Sequence, residues 1–411
     1  MIQLRDYQER IVNKATEVIK QNGFVYLAME VRTGKTLTAL SIGIELKAQK
    51  VLFITKKKAI SSIDRDYDML RPTYFLHTIN YESLHKVSYD LDWDLIIVDE
   101  AHSMGKLAKP SKRARDVKMR IIKSKANVIL MSGTPTPESY SQMYHQVYGI
   151  PNNPFKEYTN FYKFAHKYID IKIKPINGMQ IRDYSHGLPT IMDAMKPYTI
   201  AYSQKEAGFK VKTTEKVLEV EMEKTTYELA SELKKKLVIE GKREVILADT
   251  PVKLMMKLHQ LYSGTIKFES GNSDILDYSK AKLIRSKFKN MKVGIFYVFK
   301  AELKALKEVY GDELTTELSE FEETSKSIAL QIVSGREGIS LKQADCLVYY
   351  NIAFSATSYW QSKDRMTTKE RLENDVYWIF SRGGIEKKIY KAVTDKKDYT
   401  LSHFRKDLLN L

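Results

Sequence analysis

Short apolar runs, each bounded by polar or glycine-containing stretches, recur along the chain and set out two successions of strands and helices. The first helix carries Ile11, Ala15, Val18 and Ile19 on one face. Phe24–Ala28 then reads as a short buried strand, Met29–Thr36 as a tight loop, and Leu37–Ile44 as a helix. Val51–Thr55, Leu95–Val98 and Ala126–Met131 are continuous apolar runs, the pattern of parallel strands covered on both faces. His77–Leu84 reads as a strand end and a helix start. From Pro151 to about Lys212 the periodicity weakens, and Tyr158, Phe161, Tyr162, Phe164 and Tyr168 read as the packing of a helical extension. Val217–Met222 alternates as a strand, so the crossover between domains is expected near residue 213. Helical stretches over Glu223–Gly241 and Lys253–Leu261 follow, and the strand-helix rhythm resumes with Val293–Val298, Ala301–Val309, Ile328–Ile332 and Cys346–Tyr350. The pattern predicts an α/β protein of two tandem units, 1–212 with an extension over about 151–212, and 213–411 with a helical linker over about 223–262.

Composition narrows the class. A chain of 411 residues is too long for one ordinary core, and 43% hydrophobic residues suit a folded protein. Lys and Arg number 67 against 51 Asp and Glu, a formal charge of +16 that favours a polyanionic partner. A membrane surface is the competing polyanion, but there is neither an apolar run of about 18 residues nor a basic amphipathic anchor. The first residues lack the apolar core of a signal peptide. The single cysteine, Cys346, excludes an internal disulfide and a cysteine-based zinc site, and fits the reducing cytoplasm. The eight histidines show no paired ligand spacing.

The chemistry is concentrated at strand ends. Met29–Thr36 reads Met-Glu-Val-Arg-Thr-Gly-Lys-Thr, between strand and helix, which is the setting of a phosphate-binding loop. Backbone N–H groups would face the anion, Lys35 would reach the β- and γ-phosphates, and the Thr36 hydroxyl would hold Mg²⁺. Gly-Lys-Thr alone also fits an ordinary strand-to-helix turn, and the glycine wanted at the first position is Met29. The second signal is Asp99-Glu100 at the end of Leu95–Val98, where ligands sit in open α/β sheets. Asp99 would hold the metal and Glu100 would orient and activate the attacking water; the competing role for such a pair is a helix cap. Lys56, Lys57 and Lys58 at another strand end are either a solvated loop or phosphate contacts. Residues 106–125 hold nine basic residues, Lys112 and Arg113 among them, and one acid, Asp116. That density favours a polyanion track over a solvated helix face. Ser132-Gly133-Thr134-Pro135 follows a further strand and can hydrogen-bond the acid pair. Gln8 offers one donor and one acceptor, which matches an adenine edge or simply a surface amide. The second half has no second phosphate loop and no second acid pair, so it would complete a site rather than own one. It offers a turn, Ser334–Leu341, and an arginine on Tyr359–Arg365.

The ordered series resembles the superfamily-two helicases and translocases, and within them the Swi/Snf-like group in its compact phage-encoded form. Leu4–Gln8 looks like the adenine-reading element, and Glu30–Thr36, with Arg32, Thr33, Gly34, Lys35 and Thr36, like the Walker loop. Asp99-Glu100-Ala101-His102 resembles the DEAH box, Ser132–Pro135, with Thr134, the coupling motif, and Asn80-Tyr81-Glu82 the segment before the DEAH box. Met256–Gln260 lies where that group has its domain-joining helix. Gly335–Leu341, with Gly338 and Ser340, resembles the glycine turn that contacts nucleic acid, and Gln361 and Arg365 the arginine-finger helix. The resemblance implies two RecA-like lobes that bind ATP and Mg²⁺ between them and step along a strand, with His102 linking the acid pair to the coupling motif or the other lobe. Met29 and Arg32 replace common glycines. The family's next arginine position is Thr368, which leaves Arg365 or Arg371 as the finger. The expected function is an ATP-dependent DNA translocase, with strand separation on forked or single-stranded DNA, or an ATP-gated DNA clamp or loader, as alternatives. Duplex or forked DNA is the expected partner, alongside a phage replication or recombination protein, and no membrane.

Overall fold

The structure, a computed structural model, describes residues 3–176, 179–210, 212–241, 244–335, 339–355, 358–359, 362–368 and 371–395. Two of the expected site residues, Gly338 and Gln361, lie outside the described residues. The chain divides into two compact units, Met1–Phe209 and Lys210–Leu411.

In the first unit, helix α1 (Asp6–Asn22) leads into β1 (Phe24–Met29), and α2 (Lys35–Glu45) into β2 (Lys50–Thr55). α3 (Ile60–Leu70), β3 (Phe75–Asn80), β4 (Leu95–Val98), α4 (Lys112–Ser124) and β5 (Asn127–Met131) follow. After a helical extension with a hairpin, β6 (Lys172–Ile176) and β7 (Met179–Asp183), the chain returns as β8 (Thr199–Tyr202). The sheet order is β3-β2-β4-β5-β1-β8 with every pairing parallel. Phe24, Val25, Tyr26 and Leu27 are fully buried, as are the four residues of β4, which is why these runs read as continuous apolar segments. This order decides where the site forms. The chain leaves β1, crosses to β2 and β3, and comes back to insert β4 and β5 between β2 and β1. Three loops distant in sequence therefore emerge side by side at the carboxyl ends of the strands. In the extension, Phe161 and Phe164 pack with Tyr144 and Phe155 at ring centroids 4.8–6.0 Å apart, and Tyr158 and Tyr168 lie partly buried against them, so four of the five expected aromatics pack there while Tyr162 is exposed.

The second unit opens on β9 (Lys212–Val220) and α8 (Lys224–Lys236). The helix expected to run on to Gly241 ends at Leu237, which takes φ 62, and a hairpin of β10 (Val238–Glu240) and β11 (Val245–Leu247) replaces its last turn. α9 (Pro251–Leu261), a second hairpin of β12 (Thr265–Lys267) and β13 (Ser273–Ile275), and α10 (Ser279–Lys287) follow. β14 (Val293–Tyr297), α11 (Lys300–Tyr310), β15 (Leu314–Thr315), β16 (Ser327–Gln331), β17 (Cys346–Tyr349) and β18 (Glu373–Ser381) complete a second parallel sheet of order β15-β16-β14-β17-β18-β9. The two units are thus both mainly parallel, helix-flanked, RecA-like sheets. Edge strand β9 is pinned by one carboxylate, because Glu215 accepts hydrogen bonds from Tyr359, Trp378 and Tyr390.

Candidate nucleotide and nucleic-acid site

The loop after β1 is held open by its own backbone and by neighbours from three elements. Gly34 takes φ 79 immediately before α2, and a Cβ there would collide with Gln8 Nε2, so only glycine fits. Arg32 has φ 63, which accounts for glycine being the commoner choice at that position. Met29 instead closes β1, fully buried, and nothing about its backbone calls for glycine. Lys35 starts α2, and its Nζ donates to the Glu30 carbonyl at 3.1 Å. Thr33 is buried and donates to the same carbonyl at 2.7 Å. Thr36 is half-buried in the first turn of α2, with the helix N-terminus beneath it.

Gln8 is buried, and both ends of its amide are engaged by the chain. Nε2 donates to the Gly34 carbonyl at 3.2 Å and Oε1 accepts from Arg5 N–H at 3.1 Å. Its position here is beneath the loop, where it steadies Gly34. Tyr7 adds a bond from its hydroxyl to the Thr33 carbonyl at 3.0 Å and stacks on Tyr202 with centroids 4.7 Å apart. Gln204, just past β8, clasps the other side, donating its backbone N–H to Glu30 Oε2 and its side chain to the Val31 carbonyl.

The acid pair stands at the end of β4. Thr55, buried at the end of β2, donates to Asp99 Oδ2 at 2.9 Å. Burial and the neighbouring Glu100 charge push the Asp99 carboxyl up to about 6, against the Thr55 hydrogen bond and the Lys35 charge. Glu100 takes the left-handed conformation, φ 49 and ψ 43, which turns its carboxylate toward His102, 3.2 Å from Nδ1. The same Nδ1 lies 2.9 Å from Ser132 Oγ, which also accepts the Thr134 N–H at 3.0 Å. A Cβ at Gly133 would stand 3.7 Å from Lys35 Nζ, so the Ser132–Thr134 turn touches the phosphate loop as well as the acid pair. The buried Thr134 hydroxyl has no hydrogen-bond partner among the described residues. Lys35, Asp99, Glu100, His102 and Ser132 thus form one connected cluster.

The basic stretches divide. Lys57 and Lys58 are exposed on a 3₁₀ turn that follows β2, with Lys56 just before it. On α4, Lys112 is exposed near the start of the helix, but Arg113 pairs with Glu82 and lies 5.3 Å over the Tyr81 ring. Glu82 titrates below the ordinary carboxylate range: partial burial pushes it up, and the Arg113 pairing, its own backbone N–H and the Lys56 charge outweigh that. Lys118 covers Tyr148, and Arg120 is buried against Tyr89 and the Leu84 carbonyl. Residues 106–125 read as nine cations in sequence, six of them on the helix, yet three of those six are committed to packing or pairing inside the unit.

In the second unit, Gly335 ends the short helix Ile332–Gly335 that follows β16, at the carboxyl edge of the sheet. Arg365 lies on the 3₁₀ turn Lys363–Met366, and its guanidinium donates to the Ile339 carbonyl, next to Ser340. Arg371 sits at the opposite, amino-terminal edge. Its guanidinium donates to the carbonyls of Ala344 and Asp345, each at 2.7 Å, and of Glu373 at 3.0 Å, which binds together the starts of β17 and β18.

A model of the SNF2-related domain matches residues 34–265, more than half of the chain and inclusive of Lys35, the acid pair and Ser132. The chain belongs to the SNF2-related domain family. A relative from Caenorhabditis elegans, the SWI/SNF-related matrix-associated actin-dependent regulator of chromatin subfamily A-like protein 1 homolog, is 29% identical over 180 residues, or 38% of this chain. The match spans a quarter of that protein's length. Among solved structures, the Sulfolobus solfataricus SWI2/SNF2 ATPase core in complex with dsDNA aligns with 98% of this chain and 92% of its own, at 15% identity and a TM-score of 0.43. The same ATPase core domain alone aligns at 16% identity, over 96% and 89%, with a TM-score of 0.43. At that level neither adds to what the strand order shows.

For an SNF2-related protein the donors at this site fit Mg²⁺. The Asp99 carboxylate and the Thr36 hydroxyl are hard oxygens, and the described residues contain no cluster of three or more His, Cys, Asp or Glu that could cage a metal unaided. A cation held by so few protein groups would be completed by water and by the nucleotide's phosphates. No described helix is long and apolar enough to cross a membrane.

Proposed function

We propose that the protein is an ATP-dependent DNA translocase of the Swi/Snf type. The observation that carries this reading is the convergence of Lys35, Asp99, Glu100, His102 and Ser132 at the carboxyl edge of one parallel sheet, in an SNF2-related chain. ATP phosphates would lie on the N–H groups of Arg32–Thr36, with Lys35 charge on the terminal phosphates. Thr36 and Asp99 would hold Mg²⁺, which neutralises charge on the transferring phosphoryl group. Glu100 positions the attacking water and accepts its proton, and the His102–Ser132–Thr134 relay reports the state of the site. Arg365 is the candidate finger for γ-phosphate charge, since Arg371 clamps strand starts. Lys56, Lys57, Lys58, Lys112 and Arg113, with Gly335 and Ser340, are the candidate contacts to the DNA backbone. Duplex is the proposed track because the Swi/Snf-like group usually follows duplex.

Glu100→Gln separates the motor from an ATP-gated clamp. A motor loses DNA-stimulated turnover by about a hundredfold or more, the lower end of general-base effects, while nucleotide binding persists. Low turnover by wild type and variant alike would point to the clamp.

A further inference from the structure

Tyr81 and Glu82 stand between the basic surface and the acid pair. Tyr81 is buried at the start of a 3₁₀ turn, and its hydroxyl donates to the Asp99 carbonyl at 2.6 Å. That carbonyl belongs to the peptide joining Asp99 to Glu100, whose orientation sets the left-handed conformation that Glu100 holds. The preceding peptide unit, Val98–Asp99, is tied through Asp99 N–H to the Ile54 carbonyl at 2.8 Å. Outward from Tyr81, its ring is covered by Arg113, the Arg113 guanidinium is paired with Glu82, and Lys56 is near enough for its charge to act on the same carboxylate. The charge of a second basic stretch, far away in sequence, therefore acts on the same acid. The pair is open to solvent, with Arg113 38% and Glu82 58% exposed, so a dissolved or polymeric anion can reach it. α4 is fastened to the same turn a second time, by Arg120 donating to the Leu84 carbonyl at 2.9 Å.

We infer that Glu82 occupies, in cis, the place of a nucleic-acid phosphate on Arg113, and that Tyr81 carries its displacement to the Asp99–Glu100 peptide. A carboxylate and a phosphate oxygen present similar acceptors to a guanidinium, and a polyanion brings several at once. When a phosphate takes Arg113 from Glu82, the guanidinium shifts over the Tyr81 ring. The ring's hydroxyl then moves the one peptide that aims Glu100. Tyr81 acts here as a positioning residue. The inference rests on the proposed DNA-dependent hydrolysis and names how DNA would be sensed at that site.

The test is steady-state hydrolysis titrated with a blunt duplex oligonucleotide for wild type, Glu82→Gln and Tyr81→Phe, at several salt concentrations, with thermal melting of each. Glu82→Gln removes the competitor, so the half-saturating duplex concentration should fall about two- to fivefold, the scale of an exposed ion pair. Its salt dependence should steepen by up to about one phosphate contact. Tyr81→Phe keeps the ring and removes one hydrogen bond. The stimulated plateau should fall about two- to tenfold at an unaltered half-saturating concentration. A merely structural role for Tyr81 would move melting and both kinetic parameters together, and that result overturns the inference. So does a wild-type response to duplex in which Tyr81→Phe keeps the full plateau or Glu82→Gln keeps both affinity and salt slope. Wild type that ignores every duplex concentration overturns the DNA-dependent reading and the latch with it, which distinguishes the two failures.

Discussion

Asp99 is half-buried and beside another carboxylate, and the Thr55 hydrogen bond, the Lys35 charge and the Glu100 backbone N–H oppose the cost of its charge. Thr55→Val preserves shape and removes the donor to Oδ2. A hydrogen bond to a charged acceptor is worth about 1.5–3 kcal/mol, so the Mg²⁺ concentration for half-maximal hydrolysis should rise about tenfold or more, as orienting partners of metal ligands usually show. A Mg²⁺ titration of turnover reads this directly, and an unchanged requirement would remove Thr55 from the account. Thr55 also marks the limit of what sequence shows at this scale. Lys35, Thr36, Asp99, Glu100, His102 and Ser132 are legible because each belongs to a contiguous string at a strand end. Thr55 and Gln204 reach the same site from β2 and the segment after β8, and a single hydroxyl or amide carries no such string; Tyr7 and Tyr81 stand within the strings Leu4–Gln8 and Asn80–Glu82, but their bonds to the Thr33 and Asp99 carbonyls are not written in them. Gln8 reads in sequence as an adenine-edge amide or a surface glutamine; the structure buries it, and its bonds to Gly34 and Arg5 depend on how α1 packs on the loop.

At the scale of elements, the apolar runs placed β1, β2, β4, β5, β14, β16 and β17 within a residue or two, because buried parallel strands read as unbroken hydrophobic segments. β18 was missed: Glu373, Asn374 and Asp375 open it with polar residues, although Val376–Phe380 is largely buried. The lysine count on α4 overstated its free charge, since a cation stacked on Tyr148 or buried beside Tyr89 looks in sequence like any other. α9 carries a further consequence. His259 is buried, its Nε2 2.8 Å from Asn351 Oδ1, and Asn351 in turn donates to Glu302. Burial lowers the imidazole to about 4, more than Glu386 and the Asn351 hydrogen bond raise it. A histidine kept neutral in the fold takes up its proton on unfolding near pH 6.5, so stability is lost as pH falls from about 6.5 toward 4. At pH 5 the loss is about 2 kcal/mol. Urea unfolding at pH 7 and pH 5 should show that difference in wild type and much less of it in His259→Gln. An equal pH dependence in both would place the titrating group elsewhere.

At the scale of the molecule, two parallel sheets, a net charge of +16 and a phosphate loop beside an acid pair in the first unit describe an SNF2-related chain with one candidate nucleotide site among its described residues and a strong excess of cations. The fold class was legible because strand and helix alternate twice. The sheet order was not, because the insertion of β4 and β5 between β2 and β1 is a property of crossovers rather than of any residue pattern. That insertion is what brings Lys35 to Asp99, and the central claim is that this juxtaposition hydrolyses ATP in response to DNA. The most direct measurement is steady-state ATP hydrolysis by wild type and Lys35→Ala, without nucleic acid and with single-stranded DNA, duplex DNA, forked DNA and RNA. The account predicts strong stimulation of wild type by duplex or forked DNA and none in Lys35→Ala; equal low turnover under every condition would contradict it.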